Sequence, residues 1–414
     1  MASGIVGDGT LPIGRRVAQL RTRLGMSQQV FADRVGRSTS WVDKVERGVR
    51  SLDRLSVIGT VADALGVAPT VLLDQNTRGE SATTIAPALE RVRAVLACYD
   101  TPIADGRSPT KELVTRIGYA WAAYAHAQHQ QVLATLPDLL TEARHARPVA
   151  VPAGPEPAAD LLGRVYRLAA RLLVKLGEPE LAWLAADRAI ATSAGDPRRT
   201  ALAVIPMAQA LRALDRGRLA MTATITAVHR LAPHPSREPA PTDAALAGTL
   251  LVQAALAAAG CGDASTAHDL TDRATDLTRP YGDQPHAGDD EVAFGPAAVD
   301  LARALVAVEL GDNDHAIGTH VRVTGGEAWS RLPAEHRAAH LIDITRAYLN
   351  TGDHRAAGRA LVTADRLAPA ETRLRPAART ALTAVLRAGP PLADVTGLAT
   401  TIGLIRAGSG AAAG

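Results

Sequence analysis

The chain has 414 residues, of which 47% are apolar and only 3% are aromatic. This length is enough for two or three domains of ordinary size. Because aromatic residues are so few, alanine, leucine and valine must build the cores. That composition favours an all-α fold of closely packed helices. The chain shows no apolar run of about 18 residues and no charged-then-apolar leader, so we predict neither export nor a membrane partner. Cys98 and Cys261 lack the spacing of a disulfide framework or a zinc site, which favours a cytoplasmic location.

Positive charge is concentrated at the start of the chain. Residues 1–75 contain ten basic and seven acidic residues, a net charge of +3, which equals the net charge of the whole chain. The remaining residues therefore carry no net charge. A small basic segment beside a neutral body is weak evidence for a nucleic-acid partner.

The first 75 residues show the periodicity of five short helices. Ser27 and Ser38 are good N-caps, and Gly36 supplies a tight turn that requires positive φ. Gly48 ends the third helix. The predicted helices cover residues 13–24, 28–35, 38–47, 52–65 and 69–73.

The third predicted helix leaves short polar side chains outside. Apolar periodicity directs nine side chains inward, namely Ile13, Val17, Leu20, Leu24, Val30, Phe31, Val35, Val42 and Val45. The expected outward residues of the third helix are Thr39, Ser40, Asp43, Lys44 and Arg47. A helix, a glycine turn and a second helix with an exposed polar start is the geometry that enters a DNA major groove.

The segment SQQVFADRVGRSTSWVDKVERG, residues 27–48, resembles the phage-repressor-like (Cro/C1, or XRE) helix-turn-helix family. LRTRLGM before it and ADALGVAPTVLL after it extend the resemblance to roughly residues 13–74. We therefore expect a DNA-binding domain at residues 1–74.

The resemblance implies roles for individual residues. Gln28 would contact a phosphate, Thr39, Ser40 and Lys44 would read bases, and Arg21 and Glu46 would bridge the first and third helices. The full set of implied DNA contacts is Gln28, Ser38, Thr39, Ser40, Trp41, Asp43, Lys44, Arg47, Arg50 and Arg54. Alternatives remain open, since Trp41 can simply cover the edge of the domain and Arg50 can simply be solvated. Asp43 would repel phosphate, which shifts the expected balance from direct base readout toward shape and phosphate contacts.

Residues 75–88 are polar and are expected to be a linker, followed by a helical body at residues 89–414. The body repeats a Leu-Gly-Asp/Glu type of turn before an alanine-rich helix. Small residues recur seven positions apart in these helices, as the pairs Ala182/Ala189, Ala220/Ala227, Ala267/Ala274, Ala316/Val323 and Ala357/Ala364. An earlier pair of helices is expected over residues 112–146.

This pattern resembles tetratricopeptide (TPR) repeats, in which helix pairs cross at small residues. The units stand 38, 47, 49 and 41 residues apart, longer than the usual repeat of about 34. We therefore expect a TPR-like α-solenoid with long loops.

The combined layout resembles actinobacterial transcriptional regulators with an XRE head and a helical-repeat sensor. The implied partners are double-stranded operator DNA, an effector that is a small molecule or a peptide, and a second copy of the chain in a homodimer. Only three asparagines are present, which disfavours clamping of a peptide backbone. The alternative is a TPR-type interaction scaffold whose head docks on protein. We find no catalytic constellation, and no metal or cofactor is expected.

The first helix of each pair in a solenoid lines its concave face. Aromatic and polar residues on these helices are the candidate effector contacts, namely Trp121, Tyr124, Tyr166, Arg171, Gln209 and Tyr348. The alternative is that these residues pack between repeats.

Overall fold

The computed structural model describes residues 13–24, 26–50, 55–65, 82–98, 111–146, 157–231, 241–279, 294–389 and 391–405. The described residues form helices joined by turns and contain no strand, which confirms the all-α prediction. The chain divides into two compact units, residues 1–87 and 88–414. Each unit is described by itself.

Four described helices lie wholly within the N-terminal unit: α1 Ile13–Arg23, α2 Gln28–Val35, α3 Thr39–Glu46 and α4 Leu55–Ala64. Its core is apolar and small, with the side chains of Val17, Phe31, Ala32, Val42, Val45, Val61, Ala62 and Leu65 buried. The predicted helix over residues 69–73, the side chain of Ile13 and residues 51–54 lie outside the described residues.

Two residues expected in this core are exposed. Leu24 is 50% exposed because α1 ends at Arg23 and Leu24 belongs to the following turn. Val30 is 45% exposed, since its neighbour Phe31 points inward and adjacent positions on a helix differ by about 100°. The expectation that both face inward is therefore wrong.

The helix α5, Ala82–Ala97, begins inside the stretch expected to be a linker. The helices that follow it are α6 Lys111–Ala125, α7 His129–His145, α8 Pro157–Leu176, α9 Pro179–Ala191, α10 Pro197–Ala213, α11 Gly217–Leu231, α12 Pro241–Gly260, α13 Ala264–Asp276, α14 Pro296–Leu310, α15 Asn313–Thr324, α16 Glu327–Arg331, α17 Ala334–Asn350, α18 His354–Leu367, α19 Pro369–Leu374, α20 Pro376–Ala388 and α21 Ala393–Thr401. The hairpin expected over residues 112–146 is α6 and α7.

Consecutive helices of this body pack in pairs: α8 with α9, α10 with α11, α12 with α13, α14 with α15, and α17 with α18. All ten small residues of the predicted seven-residue pairs are buried in the second helices. Small side chains let the two backbones approach closely, as close packing in protein interiors requires. Thr224 and Thr271 are also buried there, and their hydroxyls donate to the carbonyls of Ala220 and Ala267 at 2.9 and 2.6 Å.

The Gly-Asp turns have a local physical explanation. Gly311 takes φ +85° and Gly352 takes φ +80°, a left-handed conformation that glycine adopts at little cost. The aspartates that follow cap the next helices, as Asp312 accepts from the backbone N–H of His315 at 3.2 Å and Asp353 from that of Ala356 at 2.8 Å. One dipeptide thus ends one helix and begins the next.

The body curves until its last repeats touch its first. Helix α17 contacts α6, and α19 contacts both α7 and α8. The helices in between surround a central space. Helix α12 is long and apolar enough to cross a membrane by composition, contrary to our reading of the sequence, but 78% of that stretch is buried inside the protein. It is a core helix of the repeat body.

Candidate nucleic-acid interface and ligand cavity

The turn between α2 and α3 follows directly from local sequence. Gly36 takes φ +65°, and its N–H donates back to carbonyls at the end of α2. Ser38 is extended and its hydroxyl accepts from the N–H of Trp41 at 3.2 Å, which begins α3. The expected capping roles of Ser27, Gly36 and Ser38 are confirmed.

Helix α3 lies against the backbone of α1. A Cβ atom added to Gly14 would stand 2.0 Å from the carbonyl oxygen of Val45, so only glycine permits this approach. Val42 and Val45 are buried on the same side. The opposite side of α3 must therefore face away from the core.

Glu46 ties three helices together. The predicted ion pair is confirmed, since Arg21 donates from Nε to Oε1 at 2.6 Å and from Nη2 to Oε2 at 3.1 Å. Gln28 Nε2 donates to Oε2 at 2.8 Å, and Arg21 Nη1 donates to the carbonyl of Met26 at 2.6 Å. Glu46 is only 6% exposed, and its hydrogen bond raises the pKa of Arg21. The sequence predicted one of these contacts and missed Gln28, whose phosphate contact stays a prediction.

The outward side of α3 carries the predicted polar residues. Ser40, Lys44, Arg47 and the following Arg50 are exposed, and Thr39 is half-buried. These side chains are available to a groove, and their DNA contacts remain predictions. Arg54 lies outside the described residues.

Two side chains of α3 have partners on the protein itself. Asp43 forms an ion pair with Arg47 one turn later, which offsets its charge. The guanidinium of Arg37 lies 5.8 Å from the ring centroid of Trp41, which is half-buried. This packing is what the domain-edge interpretation of Trp41 expects.

The repeat body encloses a cavity of about 670 Å³. Its wall comes chiefly from the first helices of the pairs, α6, α8, α10, α12, α14 and α17, as the solenoid resemblance implies. Four of the predicted contacts line it, namely Trp121, Tyr124, Arg171 and Gln209.

Tyr166 and Tyr348 do not line this cavity, and their role as effector contacts stays a prediction. Tyr166 precedes Arg171 by five positions on α8, a rotation of about 140°, and it is buried in the packing instead. The ring of Tyr348 meets the imidazole of His320 edge-on, with centroids 6.0 Å apart. These contacts agree with the alternative that the two residues pack between repeats.

Sequence reasoning missed most of the charged groups in the wall. Lys175 and Arg212 stand one turn after Arg171 and Gln209 on the same helices, a spacing that identifies a shared face. The carboxylates Glu309, Glu335 and Asp343 were not identifiable in this way. They come from α14 and α17, whose position opposite α8 and α10 depends on the curvature of the body.

Some buried polar atoms in the wall have no hydrogen-bond partner within the described part of the chain. The indole Nε1 of Trp121 and Nδ1 of His340 are examples, and each of these residues is only 2% exposed. Arg171 lies over the Trp121 ring at 5.5 Å. Burial raises the pKa of Tyr124 well above its usual value, so its phenol is neutral. Unsatisfied buried donors at a cavity are sites where a ligand or water binds.

Residues 12–75 match the family model of a helix-turn-helix domain. No curated protein sequence matches the chain. Solved structures of low similarity include PlcR of Bacillus thuringiensis in complex with the peptide PapR7 and DNA, at 12% identity over 66% of this chain and 95% of that chain, with a TM-score of 0.33. Aspartyl phosphate phosphatase F of Bacillus subtilis matches at 9% identity over 88% and 96%, with a TM-score of 0.44.

The complex of PrgX with iCF10 matches at 12% identity over 82% of this chain and 90% of that chain, with a TM-score of 0.32. These identities and TM-scores do not establish a shared function. The family match coincides with the glycine turn, the two serine caps and the exposed face of α3. Residues 12–75 of this chain therefore form a helix-turn-helix domain.

Proposed function

We propose that this chain is a sequence-specific DNA-binding transcription regulator, which binds an effector in the cavity of its repeat body and acts as a homodimer. One observation carries the DNA-binding part of the proposal. Glu46 holds α3 with its apolar side buried and with Ser40, Lys44 and Arg47 exposed. A helix held this way can enter a major groove with its N-terminal residues at the base edges.

A homodimer follows from the size of the domain. A single helix-turn-helix domain contacts too few base pairs for tight and selective binding, and such domains read two half-sites about one helical turn apart. Light scattering of the full chain, with and without its operator, tests this part. A monomer in both conditions contradicts it.

The DNA-binding test uses the full chain and genomic fragments selected by binding. We expect affinity that falls steeply with salt and a preferred sequence. The double variant Thr39→Ala/Lys44→Ala should lose about 1–3 kcal/mol of preference for each base contact removed. Arg387→Ala, at an exposed position of α20, is the control and should bind as the unchanged protein does.

Absence of salt-dependent binding to any sequence would overturn the proposal and favour a protein-docking scaffold. The effector part has its own test, because a cavity ligand can regulate DNA binding only if it prefers one arrangement of the protein. Small molecules recovered from the purified chain should change its DNA affinity, and Trp121→Ala should remove that change. An unchanged response in Trp121→Ala would contradict the assignment of the cavity.

A further inference from the structure

Arg212 is the unusual charge in the cavity. Its guanidinium points from α10 toward α12, where Nη1 donates to the amide oxygen of Gln253 at 3.3 Å. No carboxylate of the described residues lies within ion-pair distance of it. Burial lowers the pKa of Arg212, and the more distant charges of Glu309 and Asp343 offset only part of that effect. Arg212 is half-buried and its hydrogen-bond partner is neutral, so the site favours an added negative charge.

The carboxylates of the inner wall are already paired with other bases. Glu309 lies 2.7 Å from Arg346, and Asp343 lies 2.9 Å from Arg375. Glu335 contacts Lys175. Asp215, the other acidic residue of the wall, stands on an exposed turn after α10. Among the described residues, no carboxylate of the inner wall therefore forms a direct ion pair with Arg212, and Glu309 and Asp343 act on it only from a longer distance.

Both hydrogen-bonding and apolar groups accompany Arg212 in the wall. Gln209 stands on the same helix, and Thr249 and Gln253 belong to α12. The wall also contains the apolar side chains of Val252, Leu256, Phe294, Leu301 and Leu305. The partnerless indole N–H of Trp121 adds a donor on α6. Small-molecule sites combine an apolar wall with a few such polar groups.

We propose that the cavity binds an organic acid, with its anionic group at Arg212 and its apolar or aromatic body against the leucines of α12 and α14. The proposal rests on the proposed function only in that it describes the same cavity. The volume of about 670 Å³ falls within the range of small-molecule sites, roughly 300–1,000 Å³. The charge of the ligand, not its apolar body alone, then determines affinity.

A pair of fluorescent probes distinguishes the contribution of ligand charge to affinity from that of apolar contact. 8-Anilinonaphthalene-1-sulfonate carries one sulfonate, and N-phenyl-1-naphthylamine has the same rings without it. We expect the full chain to bind the sulfonate probe at one site, at least tenfold more tightly than the neutral probe. Arg212→Gln should remove this preference while leaving the neutral probe unchanged, and Arg212→Lys should keep most of it.

Two further variants establish where the probe binds. Arg218→Gln removes the same charge from an exposed position of α11 and should bind both probes normally. Ala302→Phe fills the cavity from α14 and should abolish binding of both. Equal affinity for the two probes, or binding that survives Ala302→Phe, would overturn the inference. The probe titrations contain no DNA. The organic-acid proposal can therefore fail while the operator experiment supports DNA binding, and DNA binding can fail while the probe titrations support the organic-acid proposal.

Discussion

His129 and Glu371 are 242 positions apart in the chain, yet Nε2 of His129 lies 2.6 Å from Oε1 of Glu371 and both side chains are buried. Lys175 Nζ lies 3.1 Å from the same oxygen, and Arg375 Nη1 lies 3.6 Å from Oε2. These groups join α7 and α8 to α19. They hold the last repeats against the first and thereby enclose the cavity.

The first prediction concerns this closure. Glu371→Gln should lower the free energy of unfolding at pH 7 by about 3 kcal/mol, because it leaves buried bases without their anion. Urea unfolding of the full chain measures the loss. Glu327→Gln, at a residue whose side chain is 90% exposed, is the control and should change stability by less than about 0.5 kcal/mol. Equal stability of both variants would show that the closure contributes nothing.

Glu371 also predicts a pH dependence. Burial alone would raise the pKa of Glu371, but Lys175, His129 and Arg375 outweigh burial and hold that pKa well below its usual range. The unfolded chain therefore binds a proton near pH 4.3 that the folded chain does not bind. This stabilisation is present above about pH 4.3 and is lost as the pH falls below it. Below about pH 4.3, the free energy of unfolding of Glu371→Gln should decline less steeply than that of the unchanged protein.

The second prediction concerns a buried histidine pair, which should change stability in a different pH range from Glu371. His320 Nδ1 and His340 Nε2 are 3.0 Å apart, and burial lowers the pKa of His320 to about 4 and that of His340 well below its usual value. The unfolded chain takes up protons near pH 6.5, so stability should fall between pH 6.5 and 4, a higher window than that of Glu371. His340→Gln should flatten the loss measured by urea unfolding from pH 7 to 5. If His340→Gln lost as much free energy of unfolding between pH 7 and 5 as the unchanged protein, the histidine pair would not cause this pH dependence.

The third prediction concerns Gly14. Glycine to alanine inside a helix ordinarily stabilises it by about 1 kcal/mol. At Gly14 the sign should reverse, with a loss of about 1–3 kcal/mol, because the new Cβ would meet the carbonyl of Val45. Gly118→Ala is the matched control, since it lies in α6 with nothing within 4 Å of its Cβ position. Thermal unfolding that shows a gain in both variants would disprove the close approach of α1 and α3.

The fourth prediction concerns the Arg21–Glu46 pair. Removing either partner alone should cost more than removing both, with a coupling of about 0.5–3 kcal/mol in a double-mutant cycle. The exposed pair of Asp43 and Arg47 serves as the reference and should couple by less than about 0.5 kcal/mol. Similar coupling in both pairs would mean that Glu46 does not orient α3.

The fifth prediction concerns Asp43 on the side of α3 for which we propose DNA contact. Asp43→Asn removes a negative charge and releases Arg47 from its ion pair. Affinity for all DNA sequences should rise, and the salt dependence should steepen by about one phosphate contact. Fluorescence anisotropy with specific and random duplexes at several salt concentrations measures both. A selective loss on the specific duplex would instead show that Asp43 accepts a hydrogen bond from a base.

The sequence by itself determined the local structure of the turn between α2 and α3. The bounds of α2, the caps Ser27 and Ser38 and the left-handed Gly36 are local properties, because each depends on residues within one turn of the chain. The same holds for the Gly-Asp turns of the repeats and for the buried alanines seven positions apart. Local rules of capping, turns and helical periodicity are sufficient there.

Only the tertiary structure decided the composition of the cavity and its closure. The alanine-rich helices carry apolar residues around much of their circumference, so periodicity does not show which face turns inward. Tyr166 and Tyr348, for example, do not line the cavity although Arg171 on the same helix as Tyr166 does. The contact of His129 with Glu371 and that of Arg212 with Gln253 depend on how every repeat rotates against the next. Those rotations arise from packing between side chains far apart in sequence, which no local pattern records.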